Sequence, residues 1–237
     1  AALTEDAVRV REATARGGNS GTLSASGAYR FDGNSDVTMV LNRLDALNRS
    51  DVSAEISGQA RLDRRQRRTH IEGDLRLDEA RINLSKLPGA GYTTLDVVFA
   101  DPGESREPDI PAREAISLNL NVNADRRVFV TGPGVESEWG LAARITGSPG
   151  APQVNGRATL VRGEADLLSR SFRLTEGLVR FAGDPQDSEV ALRADRTSDG
   201  ITTAITLVGT VTDPEISLSS DPTLPDDEIL ARVMIGR

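Results

Sequence analysis

The sequence predicts an all-β protein: an elongated, meandering antiparallel sheet of strands with one apolar face, ending in one short C-terminal helix. Three observations predict it. Apolar residues recur at every second position in segment after segment, the period of a strand with one apolar face. Clusters of Gly, Pro, Asn and Asp separate these segments at hairpin spacing. Aromatic residues are only 3% of the chain, whereas packed β cores draw much of their volume from large rings. The aliphatic face is therefore expected to enclose something other than protein, with a closed sandwich core as the competing reading.

Taken in order, Arg16-Gly17-Gly18-Asn19 is the first turn cluster, and Arg43 to Asn48 is expected to form one helical turn. Val52, Ala54 and Ile56 open a strand, and Ile71, Leu75 and Leu77 another. Between them the run Arg61-Leu-Asp-Arg64-Arg65-Gln-Arg67-Arg68 reads as a hairpin tip. The alternative is a contact with anionic lipid headgroups, where each basic residue contributes roughly 1 kcal/mol. Asp101-Pro102-Gly103 is a turn, and Gly103 to Arg113, with Pro108 and Pro111, reads as a long loop. Strands then recur at Ile116, Leu118, Leu120, Val122; at Leu141, Ala143, Ile145; at Val190, Leu192, Ala194; at Ile205, Leu207, Gly209, Val211; and at Ile216, Leu218. Gly132-Pro133-Gly134, Gly147 to Gly150 and Asp213-Pro214 are the corners between them.

Ile71-Glu-Gly-Asp-Leu-Arg-Leu echoes Val154-Asn-Gly-Arg-Ala-Thr-Leu, and Ile145-Thr-Gly followed by Pro152 echoes Leu207-Val-Gly followed by Pro214. Repeats with one apolar face stack to bury it. This gives a repetitive sheet over residues 1–218 and a terminal segment over 219–237. In that segment Pro222 and Pro225 stop the ladder. Asp226, Asp227 and Glu228 suit a helix's first turn, and Ile229, Leu230, Val233 and Met234 share one helical face.

Composition excludes several function classes. A net charge of −8 and a pI near 4.9 oppose nucleic-acid binding, which needs clustered basic charge. There is no cysteine and one histidine, His70, so thiolate sites are excluded and the usual general base is scarce. Pro133 interrupts the one G-x-G where a phosphate loop would need a strand-to-helix turn. Asp184, Asp187 and Glu189 follow a turn glycine without the spacing of a calcium hand. The expectation is no enzyme, no catalytic residue, no metal and no cofactor. No apolar run reaches the ~18 to 20 residues that cross a bilayer. The start at Ala1, without methionine or a signal-like segment, leads us to expect a piece of a longer protein whose membrane anchor lies outside it.

The last hundred residues carry a resemblance. Val128-Phe-Val-Thr-Gly-Pro-Gly-Val-Glu-Ser-Glu-Trp-Gly, Leu160-Val-Arg-Gly-Glu-Ala-Asp-Leu-Leu, Phe172-Arg-Leu-Thr-Glu-Gly-Leu-Val-Arg-Phe-Ala-Gly and the ending Ser219-Ser-Asp-Pro-Thr-Leu-Pro-Asp-Asp-Glu-Ile-Leu-Ala-Arg, closing in Gly236-Arg237, resemble in order the C-terminal domain of the TamB family. Val233-Met234-Ile235 departs from the Leu-Leu-Phe type sequence usual there. The resemblance implies a bacterial envelope protein anchored in the inner membrane by an N-terminal segment and spanning the periplasm. It implies partnership with the TamA outer-membrane barrel, a role both in assembling outer-membrane proteins and in moving phospholipid outward, and a fold similar to a long β-structured groove: an elongated antiparallel sheet curled into a half-open trough with an apolar interior.

On that basis Ile116, Leu118, Leu120, Leu141, Ile145, Val190, Leu192, Ile205, Leu207 and Val211 are expected to line an acyl-chain groove, and Ile229, Leu230, Val233 and Met234 to dock a partner. The alternative is a chaperone-like module whose strand edges template nascent outer-membrane proteins by β-augmentation. A third reading is a plain sandwich serving as spacer or adhesin.

Overall fold

A computed structural model describes residues 2–4, 7–17, 21–86, 115–167, 170–225 and 227–229. Their strands are β1 (Ala2–Thr4), β2 (Ala7–Gly17), β3 (Gly21–Arg30), β4 (Ser35–Asn48), β5 (Val52–Arg65), β6 (Arg68–Asn83), β7 (Ala115–Gly132), β8 (Val135–Ser148), β9 (Ala151–Leu167), β10 (Arg170–Gly183), β11 (Glu189–Ser198), β12 (Ile201–Thr210) and β13 (Pro214–Asp221). All thirteen form one sheet in sequence order. Substantial strand contacts are between neighbours in that order, and β1 and β13 pair on one side only, so the curled sheet stays open. The chain exposes 16623 Å², against roughly 10,000 Å² for a compact monomer of 25.3 kDa.

The expected antiparallel meander holds at every join except one. β6 and β7 pair in parallel, Arg68 opposite Ala115 through Asn83 opposite Thr131. Parallel neighbours need a crossover rather than a hairpin, and the chain between them includes the tract Gly103 to Arg113, which lies outside the described residues.

The helical turn expected at Arg43–Asn48 is not formed, because β4 runs through it with register shifts between Leu41 and Leu44 and between Asp45 and Leu47. Each bulge inserts a residue, so Leu41, Leu44 and Leu47 reach one face at a spacing of three that imitates a helix. Arg43 takes up the distortion with φ +48°, and its N–H donates to Ser57 Oγ at 2.9 Å. Shifts recur between Val10 and Ala13, Ala124 and Val128, and Leu174 and Glu176, and where Trp139 meets Leu160. A chain of bulges across the sheet bends each strand in turn. That bend supplies the curl.

Candidate functional site

Pairing places residues directly opposite one another on the same face, so the register defines the two surfaces of the sheet. One row reads Ala54, Ala80, Val128, Trp139, Leu160 across β5 to β9. Gly177, Leu192, Leu207 and Ile216 continue the same surface over β10 to β13. The next row reads Val37, Leu62, Ile71, Leu118. One aliphatic surface thus runs from β2 to β13.

The opposite surface is charged. Glu79 takes both Arg81, at 2.8 Å, and Arg127. Arg162 meets Glu138 at 2.6 Å, Arg180 meets Glu189 at 2.9 Å, and Arg193 meets Asp195 at 3.0 Å. The Arg162 guanidinium holds the Glu138 carboxyl below the ordinary range while partial burial opposes it, and Arg127 followed by Arg81 does the same for Glu79. Arg81 also lies over the Phe129 ring, 5.4 Å from its centroid.

Burial on the aliphatic surface is partial. β9 is flanked on both sides, yet it alternates half-buried and exposed residues with none buried. Among the described residues, buried clusters form at Ala54, Ala80, Ala124, Val128 and Trp139, and at Phe172, Leu174 and Ala194, with Ala60 and Val122 also buried on this surface. Trp139 reaches across Leu160 toward Gly177, where an added Cβ would lie 2.9 Å from its Cη2, and its Nε1–H donates to Ser137 Oγ at 2.9 Å. Neither aromatic contribution was predicted from composition. Its signal is the register of Gly177 with Trp139, which pattern alone does not give.

The register brings most expected groove residues together. Leu118, Leu120, Leu141, Ile145, Val190, Leu192, Ile205 and Leu207 stand half-buried on this surface, and Ile116 stands on it at 37% exposure. β12 ends at Thr210, and Val211 lies in the following bend, 54% exposed, its N–H bonded to the Ser188 carbonyl at 2.9 Å. Val37, Met39, Leu62 and Ile71, outside the expected set, occupy the same surface. Of these, only Ile71, alternating with Leu75 and Leu77, belongs to a strand pattern marked in the sequence.

Ile229 is buried at 3% exposure in a short helical turn over 227–229, where the N–H groups of Glu228 and Ile229 donate to the Pro225 carbonyl at 3.0 Å. Leu230, Val233 and Met234 lie outside the described residues. The Arg61–Arg68 run forms the β5–β6 tip, with Arg61 paired to Asp36 and Arg65 to Asp63 at 2.8 Å. Asp184 caps the turn at Pro185–Asp187, accepting from Gln186 N–H at 2.9 Å. Among the described residues no helix is long and apolar enough to cross a membrane, and no three His, Asp or Glu side chains gather as metal ligands.

The Translocation and assembly module subunit TamB of Haemophilus influenzae is 21% identical over 183 residues, covering 71% of this chain and 14% of that relative. The chain therefore spans about one seventh of the relative's length. The profile of the TamB C-terminal domain matches residues 11–237, extending the likeness from the last hundred residues to β2. With the match covering nearly all of it, this chain belongs to the TamB C-terminal domain family.

Proposed function

We propose that the aliphatic surface is a track that shields phospholipid acyl chains from water on the way to the outer membrane, within an envelope protein of the translocation and assembly module. The carrying observation is the continuous, half-exposed aliphatic surface backed by a charged one. At ~0.8 kcal/mol per CH₂, an acyl chain of about sixteen carbons costs roughly 12 kcal/mol to expose. A track that covers it removes most of that cost without a catalytic group. The bound chain in turn covers leucines and isoleucines that the fold leaves half-exposed.

In the whole protein the domain sits in the periplasm, anchored to the inner membrane through a segment outside this chain. It works with an outer-membrane barrel of the TamA type, docked through the terminal segment that carries Ile229, Leu230, Val233 and Met234, and supports assembly of outer-membrane proteins there. β-Augmentation is the second reading. It is favoured by β13, an edge strand that bears Ile216 at 68% exposure.

A photo-crosslinking residue at Leu192 or Leu207 is expected to capture phospholipid, whereas one at Arg193 or Thr206, on the opposite surface, captures none. Capture of unfolded outer-membrane protein along β13, with no lipid at any inward position, would move the assignment to the chaperone reading.

A further inference from the structure

Register shifts in neighbouring strands lie side by side. They fall at Arg43 in β4, Asp78 in β6, Asp125 to Arg127 in β7, Val161 in β9 and Thr175 in β10. Together they make a crease that crosses the strands. On the aliphatic side it is floored by the cluster of Ala54, Ala80, Ala124, Val128 and Trp139. On the charged side each bulge is fastened to a neighbour. Ser57 Oγ accepts from Arg43 N–H and donates to Asp78, which also takes Arg76 at 2.9 Å. Arg127 donates its N–H to Glu138 at 3.3 Å and its guanidinium to Glu79. Arg162, next to Val161, donates to the same Glu138 at 2.6 Å. Thr175 Oγ1 donates to Asp195 at 3.0 Å.

The carboxylates are sunk in the crease and the arginines are not. The Glu138 side chain is 9% exposed and its partner Arg162 77%, and Asp78 and Glu79 are likewise more buried than Arg76 and Arg127. A sunk carboxylate deprived of its cation must regain water, and opening the crease supplies it. Glu55 and Glu79 also stand directly opposite each other on β5 and β6. Such a like-charge pair repels, and Arg43, at 3.3 Å from Glu55, and Arg127 neutralise it.

We propose that the crease is a hinge that sets the width of the trough, and that this row of arginine–carboxylate contacts is the clasp that keeps it bent. A bulge without its clasp no longer fixes the bend of its strand, and straighter strands splay the two rims. The clasp lies on the outer surface, where salt reaches it without entering the trough. The width is set in this way whichever occupant the trough carries, lipid or polypeptide.

The test measures the bend of β9 in the whole chain. There is no cysteine, so Ala151→Cys and Asp166→Cys, exposed positions near the two ends of the strand with Val161 between them, take a pair of spin labels. A straight strand of that length spans roughly 50 Å, and the bent one reads shorter. Distance measurement by electron spin resonance at low salt is expected to give one narrow distribution. Glu79→Gln/Glu138→Gln broadens it toward longer distances, with the strand signal in circular dichroism retained. Raising the salt from about 0.1 M to about 1 M, which shortens the screening length from roughly 10 Å to roughly 3 Å, does the same without any substitution in the clasp. Glu189→Gln, which removes the Arg180 contact at the strand ends away from the crease, leaves the distribution narrow.

An unchanged distribution in the folded double variant overturns the clasp, as does a Glu189→Gln variant that broadens as much. A distance that stays fixed as the salt is raised overturns it too, and decides the case if the double variant loses its strands.

Discussion

Trp139 and Gly177 show how single residues set the floor of the trough. The indole is 7% exposed although the surface around it is half-open, because Gly177 offers no side chain to keep it away. A Cβ there would stand 2.6 Å from the Leu160 Cβ and 2.9 Å from the indole, closer than van der Waals contact permits. Gly177→Val is therefore expected to lift the ring and cost about 1 to 3 kcal/mol, the usual penalty of overpacking. Since Trp139 is the sole tryptophan, a red-shifted emission would report the displacement, with urea unfolding followed by circular dichroism giving the cost. Native emission and an unchanged midpoint would show that the ring does not depend on Gly177.

At the scale of elements, the bulges and the terminal turn shape the sheet. The bulges turn a period of two into a spacing of three or four, as at Leu41, Leu44 and Leu47 or at Ala124 and Val128, and so keep the aliphatic residues on one side through the bend. The terminal turn depends on Ile229. Pro222 follows the last strand residue, and Ser220 Oγ donates to its carbonyl and accepts from Leu224 N–H, both at 2.9 Å. The chain is thereby redirected toward the 227–229 turn, and Ile229 is covered. Ile229→Asp would bury a carboxylate without a cation and is expected to destabilise by roughly 2 kcal/mol or more, read as a lower urea midpoint. Ile229→Val should cost about 1 kcal/mol. An Asp variant as stable as wild type would mean that the turn contributes nothing to the fold.

Across the whole molecule, segregation of charge predicts the response to pH. Asp51, Asp63, Glu79 and Glu138 are held below the ordinary carboxylate range, each chiefly by a hydrogen bond from an arginine. A depressed folded-state pKa stabilises above the unfolded value, about 4, and that contribution is lost as the pH falls through the folded value. The melting temperature is expected to be flat from pH 7 to about 5 and to fall below about 4. A midpoint that rises on acidification would contradict these pairs. The aliphatic surface has no paired carboxylate to protonate, so lipid capture at Leu192 should persist wherever the sheet stays folded.

The sequence by itself determined the fold class, the alternation, most of the corners and the family. Each follows from local rules: strand period, turn residues, and ordered motifs read along one chain. The β5–β6 tip at Arg65 to Arg68 and the corner at Gly132 to Gly134 are of this kind. The tertiary structure alone decided the parallel join of β6 to β7, the bulges behind the false helical turn at Arg43, the position of Val211 just past the end of β12 and the stacking of Trp139 on Gly177. The physical reason is register: alternation says which residues of one strand lie together, but only pairing says which side of a neighbour they join. A single inserted residue exchanges the two sides.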